Sequence, residues 1–152
     1  MGVEQEIQIR LMELDDLDQV MEVEKDAFTS PWSRAAFVNE ITTNQFAYYF
    51  VAIMGNRIIG YIGVWIIIDE AHITNIAIHS EYRRRGIGEK LLDGAMELAK
   101  MLGSKKMTLE VRVSNENAMR LYRKKGFQNG GIRKRYYTDN QEDAQIMWVK
   151  IT

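Results

Sequence analysis

Cysteine is absent from this 152-residue chain, and proline occurs once. Without thiols there is no disulfide framework, no thiolate metal site and no covalent chemistry through sulfur. Neither sign of charge is in excess: 20 Lys and Arg stand against 21 Asp and Glu, for a net charge of -1. Such a balance lacks the overall positive field that gathers nucleic acid, although bases cluster locally at Arg83 to Arg85 and at Arg133 to Arg135. No apolar run approaches the length of a membrane span, and the opening MGVEQEIQIR has no charged-then-apolar signal layout. Repeats, low-complexity tracts and linkers are also missing. These exclusions leave one soluble, cytoplasmic domain over residues 1–152 as the expectation.

What is present reads as an alternation of strands and helices. Ile7, Ile9 and Leu11 alternate with polar residues, as in a half-buried strand. Asp15 and Asp16 open a helix that places Leu17, Val20, Met21, Ala27 and Phe28 on one face. The single proline begins the corner Pro31-Trp32-Ser33 before a second helix carrying Phe37 and Ile41. Apolar runs at 46–54 and 58–68 flank Gly55-Asn56-Arg57, a hairpin signal, and a third strand follows over 71–78. Ile87, Leu91, Ala95, Ala99 and Leu102 trace a helix stripe closed by Gly103. A strand over 106–113, a helix over 115–125, and strands over 127–137 and 144–151 complete the chain. The order β-α-α-β-β-β-α-β-α-β-β predicts an α/β fold with a mixed central sheet of about seven strands and about four flanking helices on both faces.

The strand 73–78 runs into Arg83-Arg84-Arg85-Gly86-Ile87-Gly88 and at once into a helix. Helix-start N–H groups have no internal partners and carry partial positive charge, and glycine lets main chain approach a ligand, so this turn reads either as a phosphate cradle or as a plain glycine-rich helix start with a solvated arginine cluster. A P-loop is ruled out because no Lys-Ser/Thr pair follows Gly88, and a dinucleotide fingerprint because Leu91 occupies the third glycine position.

Two side chains downstream could carry chemistry. On the strand 106–113, Met107, Leu109, Val111 and Val113 share one face, leaving Glu110 on the other with Thr108 and Arg112. Glu110 is therefore either a base in a cleft or half of an ion pair with Arg112. Tyr122 is either helix core with a hydrogen-bonded hydroxyl or a proton donor, and Asn115 is a helix cap that could also touch a ligand. His72 and His79 show no acidic or histidine partner at ligand spacing, so no metal site is expected.

Arg83-x-x-Gly86-x-Gly88 after a strand, with Asn115 and Tyr122 downstream, resembles the acetyl-CoA site of the GNAT superfamily of N-acetyltransferases, and the resemblance covers the whole chain in element order. Pro31-Trp32-Ser33, Leu109-Glu110-Val111-Arg112-x-Ser114-Asn115, Ile132-Arg133-x-x-Tyr136-Tyr137 and Glu142-Asp143-Ala144-x-x-Met147 resemble its RimI-type branch, which acetylates the N-terminal alanine of a small-subunit ribosomal protein. That resemblance implies acetyl-CoA as co-substrate and no metal. It implies a coenzyme pyrophosphate on Arg83, Arg84, Arg85, Gly86, Ile87 and Gly88, a pantetheine arm along Ile76, Ala77 and Ile78, and a contact from Asn115. It also makes Glu110 the base and Tyr122 the acid of a direct transfer.

For the acceptor, Trp32, Tyr136 and Tyr137 either wall a peptide slot or pack as ordinary corner and sheet residues. Asp139, Glu142 and Asp143 either draw a basic peptide or solvate a turn. An α-amine, with a pKa of about 8 against about 10.4 for lysine, suits a single carboxylate base, which favours a protein N-terminus; lysine or a small amine is the alternative acceptor, and a coenzyme-binding module without turnover the alternative class. The expected partner is the N-terminal peptide of a ribosomal protein, without nucleic acid or membrane.

Overall fold

Among the described residues, four α-helices and seven strands follow one another in the order the periodicities imply. The computed structural model describes residues 6–151; residues 1–5 of the amino-terminal segment read for a targeting signal lie outside that range. Strand β1 is Ile7–Leu11, and helices α1 and α2 are Leu17–Ala27 and Arg34–Thr42. Strands β2, β3 and β4 are Ala47–Met54, Arg57–Ile67 and Glu70–Ile78. Helix α3 is Ile87–Met101, β5 is Lys106–Arg112 and α4 is Glu116–Lys124. Strands β6 and β7 are Gln128–Arg133 and Ala144–Lys150.

The strands form one sheet in the order β1-β2-β3-β4-β5-β7-β6. Every neighbouring pair is antiparallel except β4 with β5. Leu17, Val20 and Val23 of α1 join Phe37 of α2 and Tyr61 of β3 in one core. Ile87, Leu91, Leu92, Ala95 and Ala99 of α3 join Met119 and Tyr122 of α4 in a core with Ile62 and Leu109. Each fully buried aliphatic side chain contributes about 1.5–3 kcal/mol, so the two helix layers pin the sheet from both faces.

One irregularity in the sheet makes room for a site. Strands β4 and β5 are hydrogen-bonded only where Glu70, Ala71 and His72 face Lys106, Met107 and Thr108. On its other side, β4 shifts register against β3, so that Gly63 faces Asn75 but Val64 faces Ile73, which leaves Thr74 as an extra residue. A bulge of this kind bends and twists its strand. From Ile73 onward β4 turns away from β5, and the edge between them has no ladder partner among the described residues.

The chain's end departs from expectation. The strand read over 127–137 stops at Arg133, and residues 134–143 form a loop to β7 that contains a turn at Thr138 to Asn140, with Gln141 N–H donating to Tyr137 C=O at 2.9 Å. Two features of this segment stop the strand. The Asn129–Gly130–Gly131–Ile132 stretch slips register on β7, and Arg135 takes a left-handed conformation (φ 54°).

Candidate active site

The glycine turn is built by main chain. Gly86 sits at the N-terminal cap of α3 with φ 76°, and a Cβ placed there would meet nothing within 4 Å, so the concave side of the turn is open. Lys90 N–H closes the first helical hydrogen bond onto Gly86 C=O at 3.2 Å. The N–H groups of Ile87, Gly88 and Glu89 precede it, and helix geometry leaves them without internal acceptors. The arginines are unequal. Arg83 Nε donates to Ile78 C=O at 3.3 Å, and Arg85 lies over the Tyr82 ring at 5.2 Å. Arg84 has no such protein partner among the described residues. Three free donors, the helix dipole and an uncommitted guanidinium are the groups that could hold an anion.

A cavity of about 620 Å³ opens in the gap between β4 and β5. Its walls include Ile73 to Ile76 of β4, Leu109 to Arg112 of β5, Asn115 and Tyr122 of the α4 segment, and Trp32, Tyr136 and Tyr137 from two loops. Ala77 and Ile78 continue the β4 edge toward the glycine turn, with the Ala77 side chain buried on the α1 side. The bulge therefore brings Glu110, Tyr122 and the aromatic trio around one space next to the glycine turn.

Glu110 does not pair with Arg112. Its Oε2 lies 2.6 Å from His72 Nε2, and its Oε1 lies 3.7 Å from Arg133 Nε. The hydrogen bond from His72 outweighs partial burial and holds the Glu110 carboxyl below the usual value, with Arg133 adding to it. His72 therefore has an acidic partner after all, three residues into β4 and across the last rung of the β4–β5 ladder. Sequence spacing hides the pair, because the two residues are 38 positions apart.

Tyr122 is nearly buried, packed against Phe127 at 5.7 Å between ring centroids. Its hydroxyl makes no protein hydrogen bond among the described residues, unlike an ordinary core tyrosine, and it lines the cavity. Burial first, then the neighbouring Tyr137, push its pKa up, so the phenol stays protonated well above neutral pH. Asn115 caps α4, its Oδ1 accepting from Ala118 N–H at 3.2 Å, and also reaches the cavity.

Arg112 has a different task from the one its spacing suggests. Its guanidinium donates to both oxygens of Asp139 (2.9 and 3.1 Å) and to Glu142 (3.3 Å), and lies over the Tyr137 ring at 4.0 Å. Asp139 also accepts from Thr29 Oγ1 at 3.2 Å, tying the loop after β6 to the loop after α1. Asp143 accepts from Arg135 N–H at 2.9 Å. Of the three acidic residues read as peptide attractors or turn solvation, Asp139 and Glu142 thus tie the loop that carries Tyr136 and Tyr137 to Arg112, and Asp143 bonds within that loop. Trp32 packs at a tilt against Phe37 at 5.3 Å between ring centroids, and its backbone N–H donates to the buried Glu24 at 2.8 Å, so it is a corner residue and a cavity wall together. Glu24 also accepts from the Tyr61 hydroxyl, which in turn accepts from Asn75 at 2.7 Å and braces the bulge from below.

A sheet splayed beside a glycine turn at a helix start, with the cavity in the splay, defines an acyltransferase architecture. The chain belongs to the acetyltransferase (GNAT) family, whose model matches residues 17–127. A Bacillus subtilis protein, provisionally named as a ribosomal protein bS18-alanine N-acetyltransferase, is 51% identical over 94% of this chain and 95% of its own length. The Escherichia coli ribosomal protein bS18-alanine N-acetyltransferase is 34% identical over 95% of this chain and 97% of its length. The crystal structure of the E. coli ribosomal-protein-S18-alanine N-acetyltransferase superposes with a TM-score of 0.88, at 32% identity and covering 97% and 95% of the two chains. A Thermoplasma acidophilum N-acetyltransferase solved with coenzyme A matches with a TM-score of 0.81, at 25% identity, over 95% and 99% of the chains.

Proposed function

We propose that the chain is an acetyl-CoA-dependent N-α-acetyltransferase whose acceptor is the N-terminal residue, alanine, of a small-subunit ribosomal protein. The observation that carries the reading is the single cavity shared by the unpaired β4 edge, Glu110, Tyr122 and the aromatic walls. Coenzyme and acceptor can occupy it together, so the transfer needs no acyl-enzyme, and the chain has no thiol to form one. The names of the B. subtilis and E. coli relatives support the acceptor assignment.

The open turn at Gly86 and the free N–H groups of Ile87, Gly88 and Glu89 suit a pyrophosphate, with Arg84 as the uncommitted cation and Asn115 beside the path. The bare edge from Ile76 to Ile78 suits the amides of a pantetheine arm as an added strand. The coenzyme brings the activated acetyl thioester. Glu110, in hydrogen-bond contact with His72, forms the base that takes a proton from the acceptor ammonium, directly or through one water. Backbone N–H groups of the same β4 edge polarise the acetyl carbonyl as it gains negative charge. The Tyr122 phenol gives its proton to the departing thiolate. Trp32, Tyr136 and Tyr137 enclose the peptide's first residues, and the ties from Arg112 and Thr29 hold that enclosure closed.

Mass spectrometry of peptides incubated with acetyl-CoA and the enzyme tests this reading. An alanine-starting peptide from a small-subunit ribosomal protein should gain 42 mass units, about the mass of one acetyl group, at its α-amine. Transfer only to a lysine peptide with a blocked N-terminus would replace the acceptor, and absence of transfer to any amine would remove the catalytic reading.

A further inference from the structure

The base at Glu110 is one half of a pair. His72 stands on the last residue of β4 that is hydrogen-bonded to β5, just before the strands separate, and its ring lines the cavity. Its Nε2 lies 2.6 Å from Glu110 Oε2. A contact that short between a carboxylate oxygen and an imidazole nitrogen requires a proton between them, since two lone pairs would repel. Nε2 therefore carries the hydrogen and donates it, and in the neutral ring the basic lone pair is left on Nδ1.

We infer that His72 is the proton-accepting member of the base: Glu110 orients its ring, and the proton taken from the acceptor's ammonium comes to rest on His72 Nδ1. This rests on the reading of the cavity as an amine-acetylating site. The balance is simple. One N–H bond of the ammonium breaks, a water relays the proton, and one N–H bond forms at Nδ1, giving an imidazolium beside an ionised carboxylate. The amine's electron pair is then free to attack the thioester.

Acidity explains why the imidazole is the better terminus. An α-ammonium titrates at about 8, an imidazole at about 6.5 and an ordinary glutamate at about 4.3. Transfer to imidazole is uphill by about 1.5 decades, and to the carboxylate by nearly 4. The Glu110 carboxyl lies lower still, because the bond from His72 already stabilises its charged form. A base whose acidity lies near that of the group it deprotonates is the more effective one.

The surroundings fit an imidazolium formed in passing. Glu110 faces it from β5, and Glu24 lines the cavity from α1. Trp65 of β3 lies 6.5 Å away with its indole N–H committed to Glu40 of α2. Arg133 of β6 sits 3.7 Å from the far oxygen of Glu110. Tyr137 of the loop after β6 also lines the cavity and is held neutral by burial, its pKa pushed up to about 12 although Arg112 pulls it down.

The test is the pH profile of kcat at saturating acetyl-CoA and alanine peptide, for the parent and for His72→Gln. The parent should lose kcat as the pH falls and the base takes up a proton. His72→Gln should bind coenzyme normally, lower kcat at neutral pH about 10- to 100-fold and shift that acid limb toward the carboxylate range. An acid limb that stays where the parent's lies overturns the inference whatever happens to kcat, since a merely structural histidine would lower the rate without moving the limb. In either case, acetylation by the parent keeps the proposed function intact, so the two readings fail separately. As a second arm, added imidazole should raise the rate of His72→Ala; a variant that imidazole does not rescue counts against the inference as an unmoved limb does.

Discussion

The two sides of the splay between β4 and β5 are built by different means. On the donor side, the β4 edge and the glycine turn offer main-chain groups: N–H donors at the start of α3, an unpaired strand edge, and a glycine at φ 76°. On the acceptor side, beyond β5, the site is made of side chains held by other side chains: His72 on Glu110, Arg112 on Asp139 and Glu142, and Thr29 on Asp139. A main-chain site depends on conformation and tolerates many side chains. A side-chain site depends on the identity of each member. Substitutions on the two sides should therefore fail in different kinetic constants.

The sharpest contrast is expected at the acceptor side's reacting groups. Glu110→Gln keeps the shape of the carboxylate and removes both its charge and its hold on the His72 tautomer. It should lower kcat by about 10²- to 10⁴-fold while coenzyme affinity stays close to the parent's. Tyr122→Phe should cost less, about 10- to 100-fold, because a thiolate with a pKa of about 8.5 leaves without much help. Steady-state kinetics with coenzyme affinity measured separately by calorimetry checks both. Glu110→Gln and Tyr122→Phe enzymes that turn over like the parent would leave the cavity as a binding site only.

On the donor side, Gly86→Val should spare kcat and weaken the coenzyme. No atom lies within 4 Å of the new Cβ, so nothing clashes. The cost is conformational: a side chain at φ 76° loses about 1–2 kcal/mol, more for a β-branched residue, and the turn relaxes by turning its N–H groups away. The coenzyme KM should rise about tenfold, with kcat at saturation little changed. An equal fall in kcat would mean that the turn also sets the reaction geometry, and the division between the two sides would not hold.

The same division decides what could be read from the chain. Helix and strand periodicity, Gly86, Gly88 and the Asn115 cap are local signals, and the element order, the anion turn and the cap are legible from them. Polar residues at alternate positions of β5 correctly set Glu110 and Arg112 apart from Met107, Leu109 and Val111. Their partners are not local. Glu110 meets a residue 38 positions earlier and Arg112 meets residues 27 to 30 positions later. A two-residue spacing along one strand suggests the pair Glu110–Arg112, but 3D structure sends each to a different neighbour because β4 and β7 flank β5 on opposite edges. The length of β6 departs from its composition for a related reason: Phe127 to Tyr137 has β-forming composition, yet the register slip at Gly130 and Gly131 and the pull of Arg112 on Asp139 and Tyr137 make its second half a loop.

The smallest expected effect lies in that loop, and acid exposes it. Hydrogen bonds from Ser114, with help from Asn140 and Arg112, hold the Glu142 carboxyl down to about 2, and the bonds from Arg112 and Thr29 overcome burial to lower Asp139 as well. A carboxylate whose folded pKa is depressed contributes stability that is present above its ordinary value and lost as pH falls toward the folded one. For Glu142 that window runs from the usual carboxylate value of about 4.3 down to about 2. Glu142→Gln keeps the side chain's size but cannot take up a proton there, so its Tm should fall less steeply than the parent's over this range. At neutral pH the same variant should raise the acceptor KM by only about two- to fivefold, the scale of an exposed ion pair, and leave the coenzyme KM alone. Parallel Tm curves for parent and variant, or a change in the coenzyme KM instead, would show that the loop is not tethered through Glu142 or does not serve the acceptor side.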